Sequence, residues 1–186
     1  MTSTNGGFYE GIWEDGKYSG KAKLIRVDGS IFEGNMKSSK THGKGKATFA
    51  NGDVYEGDWE EGKFSGKVKV TFANGGFYEG DYEDGKYSGN GKLTFANNNV
   101  YEGNFKYNKP HGKGKFTFAN GSIYEGDLQD GKFHGKGKFT YSIGNWKDCK
   151  SHGKGRVTYA IIRAFKGDWK DGKPHGSHIM YTWRFK

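Results

Sequence analysis

Residues 55–66 read Tyr-Glu-Gly-Asp-Trp-Glu-Glu-Gly-Lys-Phe-Ser-Gly, and variants of this stretch recur along the chain. Its opening triplet returns every 23 residues, with one shorter step of 18 before the seventh copy. Self-similarity at a fixed period is typical of repeat proteins. The copies begin near residues 9, 32, 55, 78, 101, 124, 142 and 165. The sequence therefore predicts a single repeat array over residues 1–186, with repeat seven shortened by five residues.

Residue character alternates within each repeat. Along residues 54–59, aromatic residues and glycine fall on one side of an extended chain, and acidic residues fall on the other. Along residues 113–118, glycine and phenylalanine alternate in the same way with lysine and threonine. A period of two indicates β-strands. With two strands per repeat, we predict an all-β fold, an elongated single-layer antiparallel meander of about eight stacked hairpins.

Two kinds of connection separate these strands. Residues 60–65 predict a glycine-containing loop, and Asn51-Gly52 predicts a tight hairpin turn, because Asn-Gly accepts the positive φ angles of such turns. Repeat seven has lost its Asn-Gly turn. We therefore expect residues 141–144 to close that connection more tightly, with a local bend or bulge.

The pattern Tyr-Glu-Gly-x-Trp-x-x-Gly-Lys-x-x-Gly-x-Gly resembles the MORN (membrane occupation and recognition nexus) repeat. Six residues depart from its glycines: Ser39, Asn108 and Cys149 in mid-repeat, and Ala22, Val68 and His178 at the last glycine. The resemblance implies a non-catalytic array with grooves for other proteins. MORN-only proteins are often scaffolds of cytoskeletal or ciliary assemblies, including axonemal radial spokes.

The residues indicate no enzyme. Residues 57–63 resemble the start of a phosphate-binding loop, but Phe64 follows where that loop needs Ser or Thr. Five of the six histidines form one column: His42, His111, His134, His152 and His175. One imidazole per repeat gives a spacing of roughly 10 Å, too wide for several to ligate one metal ion. We predict no catalytic residues, no metal site and no cofactor. The single cysteine, Cys149, favours a reducing, cytoplasmic location.

The aromatic columns have two compatible interpretations. The rings interlock as the core of a thin sheet, and part of their stripe forms an open groove for an extended or helical peptide. The predicted groove residues are Tyr55, Trp59, Tyr78, Tyr82, Tyr101 and Phe105.

The C-terminal end differs in charge and in hydrophobicity. Residues 1–140 have a net charge of +2 and residues 141–186 a net charge of +7, which together give the +9 of the chain. The predicted basic patch comprises Arg156, Arg163, Lys166, Lys170, Arg184 and Lys186. The last strand carries an apolar edge, Ile179, Tyr181, Trp183 and Phe185, which we expect to dock onto a partner or a second copy.

These features favour a non-catalytic protein-binding scaffold within a large assembly, located at the cytoskeleton or in a cilium. The alternative is a peripheral membrane tether that binds anionic phospholipid through the basic end. A third interpretation is a targeting module whose enzyme is another subunit. Nucleic acid is a poor candidate, because acidic residues accompany most of the lysine columns.

Overall fold

The computed structural model describes residues 7–141 and 161–184, with side chains described for residues 7–141 and 166–175. The described residues form fourteen strands. In chain order, these are β1 (Phe8–Glu14), β2 (Lys17–Ile25), β3 (Ile31–Lys37), β4 (Lys40–Thr48), β5 (Val54–Glu60), β6 (Lys63–Thr71), β7 (Phe77–Glu83), β8 (Lys86–Thr94), β9 (Val100–Lys106), β10 (Lys109–Thr117), β11 (Ile123–Gln129), β12 (Lys132–Tyr141), β13 (Ile161–Lys170) and β14 (Lys173–Arg184).

The strands belong to an antiparallel sheet whose order is the chain order, which confirms the predicted β-meander of consecutive hairpins. Contacts between residues are concentrated within two compact units of the chain. Unit 1 extends to Ala96 and includes Lys106–Asn108, and unit 2 comprises Asn97–Phe105 and the chain from Lys109 onward.

The strand order is described for repeats one to six and for repeat eight. Residues 142–160 of repeat seven, including the predicted bend, lie outside the described residues. β12 pairs directly with β13, with Gly137 opposite Gly167. The same register joins Gly45 of β4 to Gly57 of β5. In the described sheet, repeat eight therefore follows repeat six as any regular repeat follows the one before it, which the sequence did not predict.

The tightest turns lie in the middle of the repeats. Glu60 and Lys63 are the last pair of β5 and β6, and the two residues between them, Glu61 and Gly62, have φ values of 48° and 87°. Positive φ at both central positions is characteristic of the type I′ turn, whose twist matches that of the flanking strands. The same pair of positive values occurs at Asp15–Gly16, Ser38–Ser39, Asp84–Gly85, Tyr107–Asn108, Asp130–Gly131 and Asp171–Gly172.

The Asn-Gly segments form wider loops, so the prediction of the tight turn at that position was wrong. The Phe49 N–H donates to the Asp53 carbonyl at 2.8 Å and the Gly52 N–H donates to the Phe49 carbonyl at 2.9 Å, so three residues make the connection. Gly52 has φ 89°, as expected for the left-handed residue that closes a three-residue loop. Asn51 acts through its side chain, because its Oδ1 accepts the Asp53 N–H at 3.0 Å.

The third glycine of the repeat pattern lies at a bulge in the hairpins of repeats one to four, six and eight. β3 and β4 pair Gly34 with Gly45, but the next residue of β3 pairs with His42, which leaves Gly43 and the lysine after it without a partner in β3. Gly43 has φ 65°, a conformation that strains residues with a Cβ. Such bulges bend the strand and increase its twist.

The core is a contact between an aromatic ring and two glycines of neighbouring strands. Gly80 of β7 lies opposite Gly91 of β8, and a Cβ at Gly91 would lie 2.5 Å from Oη of Tyr78. Tyr78 is fully buried, and its hydroxyl donates to the Asp81 carbonyl at 2.8 Å. That hydrogen bond satisfies a polar group removed from water. The same ring position recurs at Tyr9, Phe32, Tyr101 and Tyr124.

Further rings cover the first one. Tyr87 stacks on Tyr78 with their centroids 3.9 Å apart. In unit 2, Trp169 meets the ring of Tyr124 edge-on at 5.2 Å, and its Nε1 donates to the Gly137 carbonyl at 3.3 Å. Repeat eight therefore helps to bury the core ring of repeat six, which precedes it in the described sheet.

The opposite face carries cross-strand ion pairs, as predicted. Nζ of Lys46 lies 3.4 Å from Oε1 of Glu56 across β4 and β5, and Nζ of Lys113 lies 2.9 Å from Oδ1 of Asp127 across β10 and β11. Because these pairs are largely exposed, each contributes roughly 1 kcal/mol or less to stability.

Two departures from the mid-repeat glycine are compensated by side chains. Oγ of Ser39 accepts the Tyr18 N–H at 3.1 Å, and Oδ1 of Asn108 accepts the Tyr87 N–H at 2.7 Å. These residues replace the turn glycine and add a hydrogen bond to the hairpin before them, which offsets part of the strain of a positive φ.

A single added methyl group at Gly114 is expected to destabilise unit 2. Its Cβ would lie 2.5 Å from Oη of the buried Tyr101. We expect Gly114→Ala to lower the free energy of unfolding by roughly 1–3 kcal/mol, measured by urea denaturation. Gly131→Asn is the control. The nearest atom to a Cβ there would be Pro110 Cδ at 3.9 Å, an ordinary contact distance, and asparagine tolerates the positive φ of this position. Equal losses in the two variants would contradict the role of the ring-on-glycine contact.

Candidate functional site

Repeat three departs from the ring-on-glycine contact at one residue. Val68 stands where the repeat pattern has its last glycine, opposite Gly57. The nearest atoms to a Cβ at Gly57 would be the Lys67 carbonyl oxygen at 2.8 Å, then Cα and Cβ of Val68 at 3.3 and 3.6 Å. No atom of Tyr55 is among them. The Val68 side chain, which is buried, thus occupies the position that the Tyr78 ring takes in repeat four.

The displaced ring of Tyr55 joins other aromatic side chains. Its centroid lies 5.0 Å from that of Phe49, 5.2 Å from that of Phe64 and 6.4 Å from that of Tyr82. Burial and, to a smaller extent, the neighbouring Tyr55 raise the pKa of Tyr87. Centroid distances of this size are favourable for aromatic pairs. The valine therefore converts a covered ring into part of a surface cluster.

An open groove lies beside this cluster in unit 1, and we call it the aromatic groove. Its aromatic lining is Phe49, Trp59, Phe64 and Tyr82, and its charged lining is Arg26, Lys63 and Asp84. The turn glycines Gly62 and Gly85 complete it. The groove combines ring surfaces for apolar side chains with charges of both signs for orienting polar ones.

Four of the six groove residues predicted from the sequence are buried: Trp59, Tyr78, Tyr101 and Phe105. Trp59 still lines the groove, whereas Tyr78 lies under Tyr87, and Tyr101 and Phe105 belong to unit 2. Tyr55 and Tyr82 are half-buried and remain within reach of a partner. Strand alternation assigned all six to one face, but it could not distinguish a ring that folds onto glycine from one that stands outward.

Phe64 is a groove residue that the predicted set omits. It lies directly opposite Trp59 across β5 and β6, with the ring centroids 3.7 Å apart. The sequence signal for Phe64 was a two-residue turn at Glu61–Gly62. Such a turn pairs Glu60 with Lys63 and therefore Trp59 with Phe64. Interpreting residues 60–65 as a longer loop concealed this partner of Trp59.

Carboxylates surround the turn end of the groove. A second cavity shares Lys63, Phe64, Tyr82 and Asp84 with it and is also lined by Glu60, Glu61, Asp81 and Glu83. A hydrogen bond from Lys67 holds the pKa of Asp81 below its ordinary value, and one from Lys40 lowers the pKa of Glu61. Both carboxylates are therefore ionised at neutral pH.

The tyrosine hydroxyls of the aromatic face stay protonated. Burial raises the pKa of Tyr82, and it raises the pKa of Tyr87 far above its usual range. In unit 2, burial raises the pKa of Tyr101 to about 12. At neutral pH these groups exchange hydrogen bonds but supply no phenolate for proton abstraction. The chemistry that the groove offers is aromatic contact.

Other candidate sites are weaker. Where the structure describes side chains, it contains no group of three or more metal-ligating residues. Within the histidine column, Nδ1 of His111 lies 3.9 Å from Oδ1 of Asp130, an isolated pair. Residues 57–63, which resemble a phosphate-binding loop, lie in the β5–β6 hairpin. No helix in the described segments has the length and apolar character needed to cross a bilayer.

The predicted basic patch is partly described. Lys166 and Lys170 are exposed on β13. Arg163 lies in β13 and Arg184 in β14. Arg156 and Lys186 lie outside the described residues. Lys166 lies opposite Lys138 of β12, at the position where Lys46 meets Glu56. Like charges placed opposite each other are unfavourable, so this part of the polar face can gain stability from an anion.

The predicted C-terminal edge lies on β14, the last strand of the described sheet. Ile179, Tyr181 and Trp183 belong to this strand and pair with β13. Phe185 lies outside the described residues. Docking at this edge stays a prediction.

A family model described as the MORN repeat matches the chain eight times. The matches cover residues 9–31, 32–54, 55–77, 78–100, 101–123, 124–146, 143–161 and 165–177. The first six begin at the aromatic residue of each Tyr/Phe-Glu-Gly triplet, as the sequence columns predicted. A comparison with curated proteins finds no match.

Replacing Val68 with glycine is expected to withdraw Tyr55 from the aromatic cluster beside the groove. Val68→Gly restores the glycine pair with Gly57, so the ring of Tyr55 can fold down as Tyr78 does. Hydroxyl-radical footprinting read by mass spectrometry should show Tyr55 labelling fall towards that of the buried Tyr101.

Repeat one provides the matched control for this substitution. Ala22→Gly makes the same type of change where Tyr9 already covers the glycine position. Labelling of Tyr9 should therefore stay low. If Tyr55 remained as accessible in Val68→Gly as in the unmodified chain, the valine would not be the cause of its displacement.

Alkaline pH is expected to destabilise the fold through its buried tyrosines. The folded-state pKa of Tyr101 is about 12, so the folded chain retains a proton that an unfolded tyrosine releases near pH 10. The resulting stability is fully present below about pH 10 and is lost as the pH rises towards 12. Urea denaturation across this range should show the decline, and Tyr101→Phe should reduce its slope. An identical slope in that variant would refute the assignment.

Proposed function

Because the chain belongs to the MORN repeat family, we propose that it is a non-catalytic protein-binding scaffold whose aromatic groove grips a segment of a partner protein. One observation carries this proposal. Val68 prevents Tyr55 from folding onto glycine and leaves aromatic side chains beside an open groove. Aromatic residues grouped in a pocket are the side chains that contribute most to the free energy of protein binding.

The groove favours an extended or helical segment with apolar side chains spaced along it. Phe64 and Tyr82, with centroids 5.8 Å apart, present ring surfaces to such side chains. Arg26 and Asp84 of the charged lining can pair with polar groups that flank them. Peptide recognition commonly combines apolar anchors with a few polar contacts of this kind.

We assign the scaffold to a cytoskeletal or ciliary assembly, such as an axonemal radial spoke, within the cytoplasm. This finer assignment rests on the resemblance to MORN-only proteins. The apolar strand edge at β14 would provide a second contact, to another protein of the assembly or to a second copy.

A peripheral membrane tether is the second candidate function. The observation that favours it is the pairing of Lys138 with Lys166, where the alternation of lysine and glutamate breaks down. Anionic headgroups would offset this repulsion, and the exposed Lys170 on the same strand would add to the attraction.

The scaffold proposal is tested by co-purification of the full chain from its native cells, with partners identified by mass spectrometry. We expect the partners to be lost from Phe64→Ala/Tyr82→Ala and their binding to be weakened in Val68→Gly, which withdraws Tyr55 from beside the groove without removing any aromatic residue. Retention should withstand high salt, because aromatic contacts are not screened. Lys69→Ala, on the polar face, is the matched control and should keep every partner.

Retention of all partners by both groove variants would contradict the proposal. Binding to anionic vesicles that falls steeply with salt and disappears in Lys166→Glu would favour the membrane tether instead. Circular dichroism of each variant separates a lost partner from a lost fold.

A further inference from the structure

The outer edge of β1 is an open strand edge in unit 1. β1 is the first strand of the described order, and no described strand pairs with its outer side. The strands that occupy the same place in the next two repeats, β3 and β5, pair on that side with β2 and β4. Repeat one therefore presents a surface that the following repeats cover with a preceding strand.

Trp13, on β1, is far more exposed than the equivalent residues of five other repeats. It is 44 % exposed, whereas five residues of its column are between 3 % and 7 % exposed: Met36, Trp59, Phe105, Leu128 and Trp169. The inner side of Trp13 is packed, because Tyr18 lies 4.3 Å from it between centroids. Ile12 and Phe8 of the same strand are 55 % and 40 % exposed. Large apolar side chains exposed on both faces of an open edge strand are unfavourable unless something covers them.

The repeats define what fits beneath a tryptophan of this column. A Cβ at Gly45 would lie 3.1 Å from Nε1 of Trp59, and Nε1 of Trp169 donates to the Gly137 carbonyl at 3.3 Å. Where the preceding strand offers Val68 instead of glycine, the column does not contain tryptophan. Trp13 therefore fits a covering strand that has glycine at this position.

Glu10 adds a requirement for charge. Its counterpart Glu33 pairs with Lys23 of the preceding strand at 3.2 Å, and Glu56 pairs with Lys46 at 3.4 Å. That lysine directly follows the glycine on which the tryptophan rests, as Lys46 follows Gly45. A covering strand of β1 is therefore expected to place a lysine opposite Glu10.

We propose that β1 accepts an antiparallel β-strand from another protein, an extended segment in which glycine and lysine alternate as in residues 43–46. Its first glycine would lie opposite Trp13, its second opposite Gly11 and its next lysine opposite Glu10, in the register that joins β4 to β5. Backbone hydrogen bonds would supply affinity, and the glycine beneath the tryptophan would supply specificity.

A second copy of this chain does not offer such a strand at its own last edge. In the same register, β14 would place His178 opposite Gly11 and Ile179 opposite Glu10. The histidine would occupy the space that Trp13 needs, and the isoleucine would give Glu10 no cation from the covering strand. On the inner side, Lys23 of β2 lies opposite Glu10. β14 of a second copy therefore does not fit, and we take the occupant to be a different polypeptide that carries the glycine–lysine pattern.

The test uses the full chain and a synthetic peptide, Lys-Thr-His-Gly-Lys-Gly-Lys-Ala-Thr-Phe, which has the sequence of residues 40–49. Titration calorimetry should give saturable binding, and hydrogen exchange should show the β1 amides becoming protected. Trp13→Ala should weaken binding about tenfold or more, as expected for loss of an aromatic anchor. Tyr107→Ala, at an exposed aromatic residue in a distant turn, is the matched control and should leave binding unchanged.

Two peptide changes sharpen the result. Replacing the second glycine of the peptide with valine should weaken binding as strongly as Trp13→Ala does. Glu10→Lys should weaken binding of the original peptide and restore binding of one with glutamate in place of its third lysine, as a register-specific ion pair requires.

The proposal is overturned if no saturable binding occurs up to about 1 mM peptide, or if binding ignores both Trp13→Ala and the valine peptide. It is also overturned if the chain alone self-associates and loses this property on Trp13→Ala and on deletion of residues 177–186, because β14 of a second copy would then be the occupant. The aromatic groove is a separate surface, so either outcome leaves the proposed function to its own test.

Discussion

The contact between an aromatic ring and two glycines of neighbouring strands is the interaction on which the rest of this structure depends. A one-layer sheet has no second layer to cover its apolar face, so its rings must pack on the sheet itself. Gly80 and Gly91 allow the Tyr78 ring to reach the backbone, and Asp81 accepts its hydroxyl hydrogen. The outer ring of Tyr87 then closes the stack. This constraint accounts for the coexistence of many glycines and many aromatic residues in one chain.

The candidate site arises where this constraint is relaxed. Val68 covers Gly57 with its own side chain, so Tyr55 stands outward among Phe49 and Tyr82. The valine is buried, so the local core is filled by a smaller group while a large ring remains available. A change that looks like a weakened repeat in the sequence thus exchanges a covered ring for a half-buried one in an aromatic cluster.

Two further features, the Lys138–Lys166 pair and the exposed Trp13, lie where a described repeat lacks the usual partner. On the polar face of the described repeats, Glu33 pairs with Lys23 and Glu56 pairs with Lys46. Trp59 and Trp169 each lie against a glycine of the preceding strand. Lys166 meets Lys138 because the glutamate of its column is absent, and Trp13 is exposed because no described strand precedes it. Because the fold is built from contacts between neighbouring strands, a strand whose outer side no described strand covers leaves side chains exposed.

The period of 23 residues and the alternation within it determined by themselves the strands, their antiparallel order, the cross-strand ion pairs and the number of repeats. These features depend on residues that are close in sequence or on neighbouring strands, so they can be predicted from a regular repeat. Tertiary structure decided the rest. Only the paired strands revealed that Glu61–Gly62 is the tight turn, that Phe64 lies on Trp59 and that Tyr78 is covered while Tyr55 is not. Alternation assigns a side chain to a face of the sheet, but the atoms across the strand decide whether its ring lies down on glycine or stands up.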